Sequence, residues 1–227
     1  MEKKYEFTGN TREFVYRGRH ITVHEIRLLK DLYEPNDPEC VMFEKGEVGG
    51  FIESEENLSH EGNCWVVAGG EVFGNARVYD DAQIGSGGAV YDSAKVYGKS
   101  CVQSGANVNC NAEVFGDNII EDYACISGTA KIGGKVDISG NNVLIGNDAC
   151  INSPRDVMTV TFWNDADVSD IDVVTFYTTS DGSVRGASYD DIKYDDPNDP
   201  SIVTTERAVE RIKTMLEKFV PGKVVGE

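Results

Sequence analysis

The sequence predicts an all-β protein built around a single-stranded, triangular parallel β-helix. Three observations predict this fold class: valine or isoleucine recurs at every sixth position between Cys64 and Ile151, a mostly small residue stands two positions before each, and glycine, asparagine, aspartate and serine are frequent in between. A fixed period over such a length is typical of a repeat architecture. Three units of six residues would close one triangular coil of eighteen residues.

The aliphatic positions keep one register over thirteen units and then shift by one residue near Asn141–Asn142. They are Val66, Val72, Val78, Ile84, Val90, Val96, Val102, Val108, Val114, Ile120, Ile126, Ile132 and Ile138, followed by Ile145 and Ile151. The small positions are Cys64, Gly70, Ala76, Ala82, Gly88, Ala94, Ser100, Ala106, Ala112, Asn118, Ala124, Ala130, Val136, Val143 and Ala149. Because side chains alternate along a strand, both sets would point into the coil and form its core.

The residues between the aliphatic positions predict the corners of the coil. Pairs such as Gly74–Asn75, Asp80–Asp81, Ser86–Gly87 and Gly116–Asp117 contain residue types that accept a positive φ and turn the chain. Successive coils would stack as parallel strands about 4.8 Å apart. The alternative is a β-sandwich, but its strands recur irregularly, about 8–12 residues apart, which the constant period disfavours.

Residues 1–63 predict an N-terminal β cap, because the end of a β-helix exposes unpaired backbone groups that need covering. Strands are predicted at Tyr5–Thr8 and Ile21–Leu29, and a loop at Glu34–Glu39. Ile52 and Leu58 already keep the six-residue step of the coil. A separate binding role for this segment is the alternative.

Residues 152–227 predict a C-terminal hairpin, an acidic loop and an amphipathic helix. Strands are predicted at Val157–Trp163 and Val173–Thr179, a turn at Asp181–Gly182 and the loop at Tyr189–Pro200. A helix that begins after Thr204 or Thr205 would place Val209, Ile212, Leu216 and Phe219 on one face, beside Ala208 and Met215. We expect that face to lie along the coil, to close its C-terminal end, or to contact a second subunit.

The repeated order of one aliphatic, three variable, one small and one variable residue resembles the hexapeptide-repeat family of left-handed β-helices. The segments Lys4–Gly9 and Gly49–Val66 resemble a more specific group, the hexapeptide-repeat proteins of bacteriophages and prophages, which are mostly of unassigned function. This resemblance covers roughly residues 3–151. It implies a left-handed coil and a homo-oligomer, with a trimer favoured.

The C-terminal part matches that group less well. Thr175–Tyr177 and Ser180–Arg185 look like the C-terminal hairpin of the group, but Gly186–Tyr189 stands where its members usually carry a Gly-Cys-Phe segment. The departure puts the C-terminal module of the group in doubt for this chain.

Composition excludes several classes of function. The net charge of −18 is spread along the whole chain without a basic patch, so direct binding to a nucleic-acid backbone is not expected. We interpret the acidic composition as favouring solubility. The alternative is that the acidic protein occupies the groove of a nucleic-acid-binding protein. The six cysteines form no metal-binding spacing and predict free thiols. Met1–Glu6 is not a signal peptide, and without a long apolar run we expect a soluble, cytoplasmic protein with no membrane segment.

We assign no catalytic, metal-binding or cofactor-binding residue. The three histidines, His20, His24 and His60, lie outside the coils, whereas hexapeptide-repeat acyltransferases and zinc enzymes usually place histidine at subunit boundaries. His60 is the candidate base of a divergent acyltransferase, although a capping hydrogen bond is the favoured interpretation. Asp165–Asp170 resembles the start of a calcium loop but lacks its glycine and glutamate, so a solvated turn is predicted.

Outward positions carry the strongest functional signal. Tyr79, Tyr97 and Phe115 stand eighteen residues apart, and so do Phe73 and Tyr91, which would stack aromatic rings on two faces of the rod. The third face carries Gly85, Gln103 and Glu121. A neighbouring subunit or the C-terminal helix would cover such apolar stripes, or a ligand would bind there. By the same alternation Val108 points inward beside Ala106, whereas Asn109→Asp, on the outside, is expected to cost almost no stability.

Together these features predict a binding protein without catalytic turnover. The resemblance to phage proteins suggests an inhibitor of a host defence component, acting in the host cytoplasm by binding a protein or a small nucleotide signal. The alternatives are a divergent hexapeptide acyltransferase and a structural part of a virion.

Overall fold

The computed structural model of the chain describes residues 2–35, 37–140, 143–164, 167–182 and 184–188. These residues form an all-β protein in which parallel strands stack into a β-helix, as predicted. Before the coils lie β1 (Tyr5–Tyr16), β2 (Arg19–Leu28), β3 (Leu32–Glu34), β4 (Asp37–Phe43) and β5 (Val48–Ile52). Short 3-10 helices occupy Glu55–Asn57 and Pro154–Asp156. Among the described residues, no helix has the length and apolar character that a membrane span requires.

The coil consists of two-residue strands, one for each unit of six. They are β6 (Trp65–Val66), β7 (Glu71–Val72), β8 (Arg77–Val78), β9 (Gln83–Ile84), β10 (Ala89–Val90), β11 (Lys95–Val96), β12 (Cys101–Val102), β13 (Asn107–Val108), β14 (Glu113–Val114), β15 (Ile119–Ile120), β16 (Cys125–Ile126), β17 (Lys131–Ile132), β18 (Asp137–Ile138), β19 (Leu144–Ile145) and β20 (Cys150–Ile151). Every third strand joins the same face of the triangle.

The three faces differ in length. The first face contains β5, β7, β10, β13, β16 and β19; the second contains β8, β11, β14, β17 and β20; the third contains β6, β9, β12, β15 and β18. Val72 pairs with Val90, and Val90 with Val108, at the predicted eighteen-residue step. After the register shift Ile126 pairs with Ile145, one residue later than the earlier step.

The predicted inward residues form the core. The aliphatic side chains from Val66 to Ile151 are buried, and the small positions beside them are buried as well. A fully buried valine or isoleucine stabilises the fold by about 1.5–3 kcal/mol relative to an exposed one, so the coil interior supplies the main stabilisation. The polar Asn118 occupies a small position and is also fully buried.

The N-terminal segment is more regular than the sequence predicts. The first strand was expected to end at Thr8, yet β1 runs to Tyr16 because Thr11–Tyr16 pairs with residues of β2 after an irregularity between Phe7 and Thr11. We call β1 and β2 together the N-terminal hairpin. It joins the sheet of the first face through pairing of β2 with β5. The stacking of the coil thus begins at β5, within residues 1–63, where Ile52 pairs with Val72 at a step of twenty residues.

The loop predicted at Glu34–Glu39 is wrong for most of its length. Strands β3 and β4 form an antiparallel hairpin there, in which Glu34 pairs with Asp37, so only the short connection between them turns the chain. Pro38, which suggested a loop, lies within β4. An edge strand accepts proline because its backbone nitrogen, which carries no hydrogen, need not donate to a neighbouring strand.

The C-terminal described residues form a separate three-stranded antiparallel sheet of β21 (Val157–Asn164), β22 (Asp167–Thr178) and β23 (Val184–Ser188). The predicted hairpin turn at Asp181–Gly182 joins β22 to β23, and Gly182 has a φ of +82°. The prediction of a solvated turn over Asp165–Asp170 is wrong from Asp167 onward, because these residues belong to β22. Strand β22 packs against β19 and β20 at the C-terminal end of the coil.

Candidate binding face

The second face carries an aromatic ladder, which we define as Tyr79, Tyr97 and Phe115. Each ring follows an inward valine and therefore points outward from the coil. The ring centroids of Tyr79 and Tyr97 are 4.7 Å apart, and those of Tyr97 and Phe115 are 5.3 Å apart. The interplanar angles are 8° and 12°, so the rings stack almost in parallel. The predicted stacking is confirmed.

This geometry decides which part of each ring is available. Because the rings lie face to face along the rod, the faces between them are covered, and the ring edges point away from the coil. All three residues remain half-buried. Burial raises the pKa of Tyr79 to about 12, with Tyr97 and Asp80 adding to the shift. Burial also raises the pKa of Tyr97, so both hydroxyls are neutral at pH 7 and can donate or accept a hydrogen bond.

The ladder ends below Phe115. The next position in the column is Gly133, where an added Cβ atom would lie only 2.7 Å from the Phe115 ring carbon Cε2. The ring therefore rests over Gly133, and any side chain at that position would displace it. The glycine closes the lower end of the ladder.

The ladder face also holds the basic side chains of the coil. Between Cys64 and Ile151 the lysine and arginine residues are Arg77, Lys95, Lys99, Lys131 and Lys135. Three of them stand on strands of the second face, and the other two follow the ladder column at its corner. Some are paired with acids: Lys95 Nζ lies 2.9 Å from Glu113, and Lys135 Nζ lies 3.0 Å from Asp117. Of the three faces, this is the one that holds the basic side chains of the coil, and Arg77 also lies 3.6 Å from an acid, Glu56.

The second aromatic stack, Phe73 and Tyr91 on the first face, is covered by the N-terminal hairpin. The two rings stack with centroids 5.0 Å apart and an interplanar angle of 6°. Tyr16 meets Phe73 edge-on at 5.3 Å and Tyr91 at 5.4 Å. Phe73 is consequently only 6% exposed. From the sequence we predicted that a second subunit or the C-terminal helix would cover such stripes. The hairpin was not predicted as a cover.

The tip of the hairpin is fixed by one carboxylate. Asp92 Oδ2 accepts hydrogen bonds from the Tyr16 hydroxyl at 3.3 Å, from Arg17 Nη1 at 3.1 Å and from the backbone nitrogen of Cys110 at 3.2 Å. Burial raises the pKa of Tyr16 to about 12, and the negative charge of Asp92 adds to the shift. The cover over Phe73 and Tyr91 is thus held by packing and by a charged anchor.

The outward position at Asn109 is not the neutral site that was expected. Asn109 is 7% exposed, and its Nδ2 atom donates to the Tyr91 hydroxyl at 3.1 Å and to Asn107 Oδ1 at 2.8 Å. The side chain points outward as predicted, but it is covered. An aspartate would lose both donated bonds and place a charge beside Asn107 Oδ1, so we now expect Asn109→Asp to lower stability instead of costing almost nothing.

The third face carries a polar column at the predicted positions Gly85, Gln103 and Glu121. Gln103 Nε2 donates to Glu121 Oε2 at 2.9 Å. On the same face Ile119 is 38% exposed, whereas its neighbour in the same strand, Ile120, is fully buried. Ile119 is therefore an outward position on a different face of the coil from the aromatic ladder, and it can serve as a reference for substitutions in the ladder.

His60 is occupied by structural contacts. Its Nδ1 atom accepts a hydrogen bond from the backbone nitrogen of Lys4 at 3.2 Å, and its ring stacks on Tyr5 at 4.3 Å. The buried Nε2 atom lies 3.7 Å from Glu55 Oε2, too far for a hydrogen bond. Burial lowers the pKa of His60, with Glu55 opposing the shift. Neither nitrogen is placed to take a proton from a substrate, as a catalytic base must.

The remaining candidates are dispersed. His24 packs against Phe7 with ring centroids 4.9 Å apart, while His20 is exposed near the hairpin tip. Within the part of the chain that the structure describes, no three histidine, cysteine or carboxylate side chains are grouped as metal ligands. The predicted helix face of Val209, Ile212, Leu216 and Phe219 lies outside the described residues, as does the acidic loop before it.

Comparison of the chain with protein-family models gives no match, and comparison with curated proteins gives none either.

Proposed function

We propose that this chain is a binding protein without catalytic turnover, and that the aromatic ladder face is the surface that contacts its partner. The observation that carries the proposal is the ladder itself. Three stacked rings remain half-buried on a flat sheet face, with basic side chains beside them. Aromatic residues contribute large contact areas at interfaces, and a tyrosine hydroxyl adds a polar contact at the edge of the ring.

The orientation of the rings favours a protein partner over a small nucleotide. A nucleobase binds an aromatic residue by stacking on the face of its ring. In the ladder the faces between Tyr79, Tyr97 and Phe115 are already covered by neighbouring rings. The exposed edges form a flat stripe, which suits contact with an extended surface.

Charge indicates which kind of surface would bind. The whole chain carries −18, yet every lysine and arginine between Cys64 and Ile151 stands on the ladder face or at its corner. Complementary charge speeds the encounter of two proteins and rejects wrong partners. An acidic protein surface is the partner we propose, and it would compete with Glu113 and Asp117 for the lysines of this face.

The resemblance to phage-encoded hexapeptide-repeat proteins supports a finer version of the proposal. In that version the partner is a component of host defence, and the chain inhibits it by occupying its surface in the host cytoplasm. The occupied environment of His60 weighs against the alternative of an acyltransferase with His60 as its base. A homotrimer, which the same resemblance favours, would place a second copy of this chain on one of the faces.

The experiment compares Tyr97→Glu with Ile119→Glu. Both add one negative charge at an outward position, the first on the ladder face and the second on the third face. Tagged proteins are used to capture partners from host extract, and the molar mass of each variant is measured by light scattering. We expect the wild type and Ile119→Glu to capture the same protein and Tyr97→Glu to lose it, with all three folded by circular dichroism.

Two outcomes would contradict the proposal. Capture that survives in Tyr97→Glu would show that the ladder is not the contact surface. A wild-type oligomer that Tyr97→Glu converts to a folded monomer would show that a second copy occupies the ladder, leaving no free face for another partner.

A further inference from the structure

Lys4 and Cys64 form a buried side-chain pair at the N-terminal end of the coil. Both residues are fully buried. Lys4 Nζ lies 3.1 Å from Cys64 Sγ and donates to the Cys64 carbonyl oxygen at 2.7 Å. Its remaining contacts are the carbonyl oxygens of Glu61 and Gly62, each at 3.4 Å. A primary amine and a thiol thus face each other, and the other acceptors that Lys4 Nζ contacts are backbone carbonyl oxygens.

Burial acts on both groups in the direction of their uncharged forms. Burial lowers the pKa of Lys4, and the nearby Cys64 opposes that shift. Burial raises the pKa of the Cys64 thiol, and Lys4 opposes it. A buried charge is costly, so burial lowers the cost of removing a proton from the Lys4 amine relative to an exposed lysine. An uncharged amine nitrogen has a lone pair and can form a covalent bond, which an ammonium group cannot.

We propose that Lys4 and Cys64 are a modification site, at which hydrogen peroxide generates a covalent N–O–S bridge between Lys4 Nζ and Cys64 Sγ. The bridge would join the start of the chain to the first coil, across a sequence separation of 60 residues.

The reaction balances with hydrogen peroxide as the only oxidant. The first peroxide oxidises the thiol to a sulfenic acid and is itself reduced to water. In the second step the sulfenic oxygen bonds to the lysine nitrogen, and one hydrogen leaves each of these two atoms. These two hydrogens reduce a second peroxide molecule to two molecules of water. The product contains one more oxygen and two fewer hydrogens than the starting pair.

The geometry favours the oxygen-bridged product over a direct sulfur–nitrogen bond. The present Nζ–Sγ distance is 3.1 Å, and an inserted oxygen atom spans most of that gap. A direct bond would require the two atoms to approach to a single bond length, against the close packing of the surrounding core. Glu61 and Gly62, whose carbonyl oxygens contact Lys4 Nζ, are exposed, so peroxide would reach the pair from that side when this turn opens.

The experiment treats the folded full-length protein with hydrogen peroxide, blocks the remaining thiols, and maps peptides by mass spectrometry without reduction. We expect a linked peptide pair containing Lys4 and Cys64, heavier than its parts by one oxygen and lighter by two hydrogens, which a thiol reductant separates. Peptides with the half-buried Cys101 serve as an internal reference, because its thiol lies beside Gln103 at 3.5 Å. They are expected to show ordinary thiol oxidation without a lysine link.

Lys4→Arg keeps a long basic side chain but removes the primary amine, and Cys64→Ser removes the sulfur. Both should abolish the linked peptide, and because the map is read by mass, a partial loss of stability in either variant does not obscure the result. Oxidation of Cys64 to a sulfinic acid without a link, a link of the direct sulfur–nitrogen mass, or an unmodified Cys64 under conditions that oxidise Cys101 would each overturn the proposal.

Discussion

At the scale of single residues, the coil accepts a polar side chain inside its core when the backbone satisfies it. Asn118 Nδ2 donates to the Phe115 carbonyl at 2.5 Å, and its Oδ1 atom accepts from the Val136 nitrogen at 2.9 Å. The six-residue period by itself predicts that Asn118 occupies one of the small inward positions. The hydrogen bonds that make an asparagine tolerable there depend on the neighbouring coils, which the period does not specify.

The corners of the coil use a left-handed backbone conformation. One corner stacks Gly74, Asp92, Cys110, Gly128 and Asn147, all with positive φ. Glycine, aspartate and asparagine accept this conformation readily, whereas other residues pay a steric penalty of about 1–2 kcal/mol. Cys110, with a φ of +57°, is the residue in this column that does not suit its backbone.

Replacing Cys110 by asparagine should therefore stabilise the protein. The column already holds an asparagine at Asn147, and the change leaves the bond from the backbone nitrogen to Asp92 in place. We expect the free energy of unfolding to rise by about 0.5–1 kcal/mol, measured by denaturant titration. Cys101→Asn, at a strand position of ordinary backbone conformation, is the control and should give no gain. Equal stability changes for the two variants would show that the corner strain is not significant.

At the scale of elements, the N-terminal hairpin is the part that the sequence reading described least well. Its strands were predicted at roughly the right places but too short, because β1 beyond Thr8 is mostly exposed and lacks a clear alternation. The hairpin is fixed instead by contacts with distant residues: Arg12 Nη2 lies 3.0 Å from Glu71, and its guanidinium lies 4.1 Å from the centre of the Phe51 ring. Local patterns do not contain such information.

The anchor of the hairpin tip predicts a dependence on alkaline pH. The pKa of Tyr16 is raised from its ordinary value of 10.0 to about 12 in the folded protein. Between these values the unfolded chain binds fewer protons than the folded one, so stability falls as pH rises. The contribution is fully present below pH 10 and is lost as the pH passes through about 12. Unfolding midpoints measured between these pH values should decline steeply.

Tyr16→Phe provides the control for this prediction. The variant loses the hydroxyl bond to Asp92 but keeps the edge-on contacts with Phe73 and Tyr91. It should be slightly less stable at neutral pH and should show a shallower decline in alkaline solution. If both proteins decline with the same slope, ionisation of Tyr16 does not contribute, and the buried Tyr91, whose pKa is also raised by burial, becomes the group to test.

At the scale of the whole molecule, the coil could be predicted almost completely because its information is local and repeated. Each unit of six residues indicates which side chains point inward, and the pairing of coils confirms that register from Val66 to Ile151, with the one-residue shift before Ile145. Leu58 lies outside it, because Leu58 pairs with Val78 at a step of twenty residues. The aromatic ladder could be predicted for the same reason, since three units return the chain to one face. The basic residues beside it stand in the same eighteen-residue columns, with Glu113 and Asp117 at intervening positions, so this pattern was present in the sequence and was not used in the prediction.

What covers each face could not be predicted. The hairpin over Phe73 and the burial of Asn109 both arise from segments whose approach to the coil is set by tertiary contacts. A period gives the direction of a side chain, but it does not show whether another segment lies against it.

The central claim is that the six-residue period alone determines which side chains face inward, and Ile119 and Ile120 test it most directly. They are adjacent and chemically identical, yet Ile119 is 38% exposed and Ile120 is fully buried. The measurement is the free energy of unfolding of Ile119→Lys and Ile120→Lys, which change the net charge equally. We predict a loss of about 3–5 kcal/mol for Ile120→Lys, because the ammonium would be buried without a partner. Ile119→Lys, outward and next to Asp137 on the neighbouring coil, should stay within about 0.5 kcal/mol of the wild type. Similar losses for the two variants, or a larger loss for Ile119→Lys, would contradict the account.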